Sequence, residues 1–272
     1  MKENYSVLMS VYYREKPEYL RESMESMLNQ SVKPDDLVLV CDGPLNEPLD
    51  EVIASFTEAY KELTVVRLPE NKGLGNALNE GMKYTRNELI ARMDSDDISR
   101  PDRCEKELTI FQNNPDIDIV SGTIEEFDED ISKINSRREL PETNAEILEF
   151  AKKRNPFNHP AVMFRKSAVE AVGGYEDFYL LEDYFLWIRM LLNGSRGYNI
   201  KDPLLYMRAG SDMYKRRSGK RYAKSQKRLF SYMLTKGFIN KNEYIAAALT
   251  RTIASLVPNN IREKLYKRML RA

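Results

Sequence analysis

The segment LIARMDSDD, residues 89–97, sets three carboxylates, Asp94, Asp96 and Asp97, at the end of a short apolar run. The run is long enough for a strand, and in a strand alternate side chains point the same way, so a D-x-D ending puts two carboxylates side by side. In parallel α/β sheets, ligands bind beyond the carboxyl ends of the strands. Like charges this close repel unless a cation lies between them. Hard oxygen donors suit Mg²⁺ or Mn²⁺, and Mg²⁺ usually arrives with substrate phosphates. One reading is therefore a metal-assisted site for a phosphorylated ligand. The other is an acidic turn that caps a helix starting near Pro101. The motif alone leaves the two even.

The elements that must carry such a site alternate regularly. Strand-like runs occupy 6–13, 37–41, 63–68 and 89–97, and the helical stripes between them begin at Pro17, near Leu49 and after Gly73. A βαβαβαβ order predicts an α/β fold with a mostly parallel sheet and helices on both faces. Three of those strands end on candidate ligands: Tyr12 to Glu15, Asp42, and Asp94 with Asp96. Their shared position at carboxyl ends favours the site reading over the cap.

Further along, 101–111 reads as a helix, 117–122 as a strand and 125–130 as a solvated acidic stretch. Thr143 and Glu146 form a capping-box pattern that opens a helix. His159, the single histidine, stands between Pro156 and Pro160, which exclude a helix interior. A strand at 161–165 and a short helix at 167–172 follow, broken by Gly173-Gly174. The run 180–192 is apolar almost all round, so the helix it predicts should be buried. Glu182 and Asp183 sit at its amino end, where they either cap the helix or present a rigid general base.

The chain has 272 residues, room for one large domain (1–210) and a basic helical appendage (211–272). Two cysteines, Cys41 and Cys104, make no disulfide framework and fit a reducing cytosol. The first residues are too short and polar for a signal peptide. No apolar run approaches the roughly 20 residues of a membrane span. The zero net charge conceals an asymmetry: from Lys201 onward there are 18 Lys and Arg against 4 Asp and Glu. Such a tail suits an anionic partner. Its parts read as a cationic loop at 214–221, a helix at 243–257 with Ile245 and Leu249 on one side, and a last amphipathic helix at 261–270. That last helix either lies on a membrane surface or packs on its own domain.

Six strings occur in order: SVYYRE, CDG, NKGLGNALNEG, MDSDD followed by PDR, HPAVMFRKSAV leading to VGGY, and LLEDYFLW. From Ser6 to about Arg208 the chain resembles the inverting family-two glycosyltransferases with the GT-A fold. The resemblance implies that Tyr12, Tyr13 and Glu15 border a nucleotide and that Asp42 takes a polar edge of uracil or ribose. Asn71 and Gly73 would lie along the nucleotide path and Asp94 would contact the ribose. Asp96 would hold Mn²⁺ or Mg²⁺ on the diphosphate, with His159 as a second metal or phosphate contact. Asp183 would be the base, with Glu182 its neighbour, and the loop around Arg216 and Arg217 would close over the diphosphate. The implied partners are a nucleotide-sugar donor, UDP-linked, a saccharide acceptor on a polyprenyl diphosphate, and an anionic membrane surface. Self-association is compatible with this, and nucleic acid is not a partner. The protein would be cytoplasmic and peripheral on the inner face of the membrane, in a bacterial surface-polysaccharide pathway. The chain lacks the Q-x-x-R-W string of processive members, which implies one sugar per event. The rival readings are a membrane-associated scaffold that binds nucleotide without turnover and a metal-dependent phosphatase.

Overall fold

The computed structural model describes residues 4–209 and 220–256, the side chains of 250–256 excepted. The expectations for Arg216, Arg217 and the terminal amphipathic helix concern residues outside that set. The first half of the chain alternates as its pattern predicts: β1 (Tyr5–Val11), α1 (Pro17–Leu28), β2 (Asp36–Cys41), α2 (Glu47–Ala59), β3 (Leu63–Arg67), α3 (Leu74–Met82) and β4 (Leu89–Asp94). The strands β3, β2, β1 and β4 lie side by side and run parallel. Each strand feeds a helix that returns to the same edge, so carboxyl ends collect on one side of the sheet. Register makes this concrete: Val11 pairs with Cys41, and Ser10 with Asp94.

Neighbouring residues of a strand face opposite sides, and both sides are apolar here. Val7, Met9, Leu37 and Leu39 join Leu20, Met24 and Met27 of α1 and Val52, Ile53 and Phe56 of α2 in one core. Leu8, Val38 and Val40 face the other way, against Ala77, Leu78 and Met82 of α3. A strand buried on both faces needs a continuous hydrophobic run, and this is why Leu37 to Cys41 has no polar residue.

The second half extends the sheet. It contributes β5 (Ile98–Ser99), α4 (Arg103–Asn113), β6 (Ile119–Phe127), β7 (Ser136–Arg138), α5 (Asn144–Ala151), a 3-10 turn at His159–Ala161, β8 (Met163–Arg165), α6 (Lys166–Ala171) and α7 (Glu182–Leu192). Then come β9 (Gly197–Arg208), α8 (Lys220–Thr235) and α9 (Lys241–Leu256). β8 is antiparallel to β4, β6 antiparallel to β8, and β9 parallel to β6. α5 opens on the expected capping box, with Thr143 and Glu146 each bonded to the other's backbone.

Two expectations are corrected. The acidic stretch 125–130 is solvated only in its second half: Asp128, Glu129 and Asp130 are exposed, whereas Glu125 and Glu126 are 4% exposed on β6. Charged groups are buried where cations pair with them. Arg100 and Arg137 pair with Glu125, and Arg138 pairs with Glu126. Secondly, the basic region after Tyr198 begins with the long strand β9, whose polar residues hide its period, and Lys220 and Arg221 of the expected cationic loop open helix α8. α8 is docked on the body, since Leu229, Phe230 and Met233 share a core with Trp187 and Leu186. Among the described residues, no helix is long and apolar enough to cross a membrane.

Candidate active site

The carboxyl edge of the parallel strands carries the predicted residues. At the end of β4, ligand oxygens of Asp94, Asp96 and Asp97 lie within 4.8 Å of one another. They do not cap α4, whose N-cap is Asp102 with no side-chain cap bond. Each is held differently. Arg92 donates through both terminal nitrogens to Asp94, one of these bonds being 2.7 Å. Asp97 is 2% exposed and accepts the backbone N–H of Arg208 at 2.9 Å. The Arg208 guanidinium donates to the Asp96 carbonyl at 2.9 Å and lies over Tyr19, 4.0 Å from the ring centre. The last turn of β9 therefore braces the acidic turn from behind. Glu15, after β1, accepts the Ser95 hydroxyl at 2.6 Å and so joins the same cluster.

Burial, then the charges of Asp94 and Glu15, push the Asp96 carboxyl up to about 7. Asp97 is raised too, by burial and then by Asp96 and Asp94. Carboxyls crowded until they resist ionising are what a divalent cation relieves. The donor set is all oxygen, which fits Mg²⁺ or Mn²⁺ better than a softer metal.

Asp42, at the end of β2, accepts the backbone N–H groups of Lys72 at 2.7 Å and Gly73 at 3.0 Å. Asn71 donates its amide to the Asp42 carbonyl at 3.1 Å. Gly73 has φ +84, a left-handed conformation that a side chain would strain. Asp42 thus orders the turn that launches α3. Tyr12 and Tyr13, which follow β1, meet edge to face and are 36% and 49% exposed, with the Arg14 guanidinium 5.4 Å from the Tyr13 ring centre.

The start of α3 leads to the acidic pair of α7. A Cβ at Gly75 would lie 3.2 Å from the Tyr175 Cβ, a tight contact, and 3.7 Å from the Glu182 Cβ, an ordinary one, so α3 passes close to the start of α7 here. Asn79 of α3 clamps the Tyr175 backbone from both sides, accepting its N–H and donating to its carbonyl. Glu182 and Asp183 follow the N-cap Leu181, which makes no side-chain cap bond, and lie in the first turn of α7, where unpaired N–H groups favour carboxylates. Asp183 accepts the Tyr184 N–H at 2.7 Å and the Asn155 side-chain amide at 2.6 Å. Burial, then the Asp183 charge, pushes Glu182 up to about 7.

Arg92 joins the two carboxylate groups. It is 1% exposed. Its charge acts on Asp96, Asp97, Glu182, His159 and Tyr175 alike. The buried guanidinium is thus hydrogen-bonded to Asp94 of the cluster, and its charge is also felt by Glu182 at the start of α7. His159 is outside the carboxylate cluster. Its Nε2 hydrogen-bonds the Tyr175 hydroxyl at 2.8 Å, its ring meets Trp187, and burial drives its pKa well below the usual range. It is a neutral wall of the site, tied to Tyr175 instead of standing among the acidic ligands.

Arg92, Asn155, Tyr175 and Arg208 were not among the residues expected here. Arg92 had a visible signal, a charge inside an otherwise apolar strand. Asn155, Tyr175 and Arg208 reach the site only through long-range contacts.

A mainly parallel sheet with acidic side chains at its carboxyl edge and a second carboxylate pair on a buried helix is the arrangement of a GT-A fold. Comparison bears this out. The family model for glycosyl transferase family 2 matches residues 6–173, and the chain belongs to that family. It is 40% identical to an uncharacterized glycosyltransferase of Haemophilus influenzae over 98% of this chain and 99% of the relative. It is 37% identical to the UDP-Gal:alpha-D-GlcNAc-diphosphoundecaprenol beta-1,3-galactosyltransferase of Escherichia coli, over 98% and 96% of the two chains. The amylovoran biosynthesis glycosyltransferase AmsE of Erwinia amylovora is 39% identical, over 97% and 98%. In fold, the chain matches S. aureus TarS 1-349 with a TM-score of 0.62 at 18% identity, covering 98% of this chain and 87% of TarS 1-349. A Pyrobaculum calidifontis mannosyltransferase in complex with GDP-Man and Mn²⁺ matches with a TM-score of 0.63 at 16% identity, over 99% and 81%. The protein is a glycosyltransferase.

Proposed function

We propose that this glycosyltransferase moves one sugar, with inversion, from a UDP-sugar to a saccharide carried on a polyprenyl diphosphate, in the synthesis of a surface polysaccharide. The carrying observation is an all-oxygen acidic cluster at the carboxyl edge of the parallel strands, its Asp94 bonded to the buried Arg92, whose charge also bears on Glu182. The E. coli relative supports the donor nucleotide and the lipid-linked acceptor, since its name specifies both.

Asp96 and Asp97, with Asp94, would hold Mn²⁺ or Mg²⁺, which offsets charge on a departing diphosphate. Tyr12, Tyr13 and Glu15 line the nucleotide side, and Asp42 with Asn71 and Gly73 shapes the turn beneath it. Asp94 is read as shared between ribose and cluster, and His159 as a neutral contact. Asp183 takes the proton of the acceptor hydroxyl as that oxygen attacks the anomeric carbon from the face opposite the leaving group. One displacement inverts the centre, and no covalent sugar-enzyme bond forms. Glu182 stays beside it, its carboxyl pushed up to about 7 by burial and by the Asp183 charge. Arg216 and Arg217 are assigned to the diphosphate. Residues 211–272 are read as a basic helical extension of the 1–210 domain that meets an anionic membrane on its cytoplasmic face.

The test has two parts. A thermal-shift panel of UDP- and GDP-sugars with Mn²⁺ identifies the donor, because binding to the native state raises its melting point. Asp183→Asn then keeps donor binding and loses turnover. A variant of near-wild-type rate removes Asp183 as the base.

A further inference from the structure

Asp183 is the carboxylate of this site held by two amide donors from different elements. Its Oδ1 accepts the Tyr184 N–H at 2.7 Å, in the first turn of α7. Its Oδ2 accepts the Asn155 side-chain N–H at 2.6 Å, from the loop between α5 and the 3-10 turn. The second donor is built in. Pro156 follows Asn155 and restricts it to extended backbone. The Asn155 carbonyl oxygen accepts the Phe157 N–H at 3.3 Å, and this decides which end of the amide faces Asp183. The loop beyond is locked in turn, since Asn158 donates to the carbonyls of Gly122 at 2.8 Å and Arg138 at 3.1 Å. Phe157 is buried against Trp187 of α7, so loop and helix share a packed contact.

We infer that Asn155 is a positioning residue for the reaction, fixing the plane and direction of the Asp183 carboxylate toward the acceptor hydroxyl. The inference rests on Asp183 being the base. A lone carboxylate at a helix start swings about its side-chain torsions. Two donors on separate rigid elements remove that freedom, and a base displaced by about 1 Å costs on the order of a hundredfold in rate. Both donors also favour the ionised carboxylate, the form that accepts a proton. The titratable groups facing Asp183 are Glu182 on its own helix and Tyr175 on the adjoining turn, with the Arg92 charge of β4 acting on both.

The experiment compares full-length wild type, Asn155→Ala, Asn155→Asp and Asp183→Asn. UDP-galactose with Mn²⁺ is the donor, or the panel's preferred UDP-sugar where the wild type turns that over faster. Asn155→Ala lowers kcat by about 10- to 100-fold and leaves the donor KM within about twofold. Asn155→Asp keeps the side-chain shape and the acceptor for Phe157 N–H, but sets a second carboxylate against Asp183. Two such groups share a proton, so the acidic limb of kcat moves up by about one pH unit or more. That shift reports the contact between the two side chains, and the loss of kcat at constant KM in Asn155→Ala is what a purely structural role would not give. Melting curves and UDP affinity matching wild type show that the variants fold. The inference is overturned if Asn155→Ala keeps kcat within about threefold, if kcat and KM fail together, or if the limb for Asn155→Asp stays put, each while Asp183→Asn is inactive. An active Asp183→Asn overturns the base assignment itself, and the two failures are thereby told apart.

Discussion

Replacing Glu182 with glutamine separates stability from catalysis within the acidic pair. Burial and the neighbouring Asp183 charge push the Glu182 carboxyl from 4.5 up to about 7 in the folded protein. The folded state therefore binds the proton more tightly than the unfolded chain. Stability from this group is complete below about pH 4.5 and is lost as pH rises through about 7. A shift of that size corresponds to at most about 3.4 kcal/mol. Glu182 is half-buried, and solvent screening reduces the figure to about 1–2 kcal/mol. Glutamine keeps the shape and removes the charge, so Glu182→Gln raises Tm by about 2–4 °C near pH 8. Near pH 5 the gain shrinks to a small fraction, because wild-type Glu182 is then largely protonated. Differential scanning calorimetry in EDTA at the two pH values, with turnover measured beside it, provides the test. Turnover persists if Asp183 is the base. An equal Tm for both proteins near pH 8, or a gain of the same size near pH 5, refutes the electrostatic reasoning. Loss of turnover equal to that of Asp183→Asn refutes the division of roles.

Other outcomes follow from the same geometry. Asp96→Ala removes one oxygen ligand from the cluster and abolishes Mn²⁺-dependent UDP binding, read by calorimetric titration; unchanged affinity counts against the ligand role. Gly75→Ala drives a methyl toward Tyr175 at 3.2 Å and Glu182 at 3.7 Å. Overpacking against Tyr175 costs about 1–3 kcal/mol and the helix propensity gained within α3 offsets about 1 kcal/mol, so denaturant titration shows a net loss of about 0–2 kcal/mol, and a loss beyond about 3 kcal/mol contradicts it. Arg103→Met unpairs the fully buried Glu107, whose carboxyl burial already pushes to about 7, and releases the carbonyls of Arg92 and Pro160. Breaking a buried pair this way costs about 3–5 kcal/mol, and a Tm within error of wild type would contradict it.

Much of the parallel half was legible because local chemistry and tertiary demand agree there. Uninterrupted apolar runs such as Leu37 to Cys41 form strands buried on both faces, and polar turn residues follow each one. Thr143 and Glu146 marked a helix start by a purely local interaction. The acidic strings at strand ends were legible for a topological reason: parallel connections bring carboxyl ends to one edge. The second half was less readable. Glu125 and Glu126 look solvated in one dimension, and only cations arriving from Arg100, Arg137 and Arg138 make their burial tolerable. β9 is not legible as a strand because buried and exposed residues alternate irregularly along it.

The sequence by itself determined the alternation of elements, the identity of the acidic residues and the edge on which they gather, since these depend on local hydrophobic pattern and on the handedness of parallel connections. Only the tertiary structure decided which groups act together. Arg92 bonds Asp94 from inside its strand, Asn155 reaches Asp183 across 28 residues of chain, and Arg208 braces an acidic turn more than a hundred residues before it. Such partnerships depend on where distant backbones cross, and no local pattern encodes a crossing.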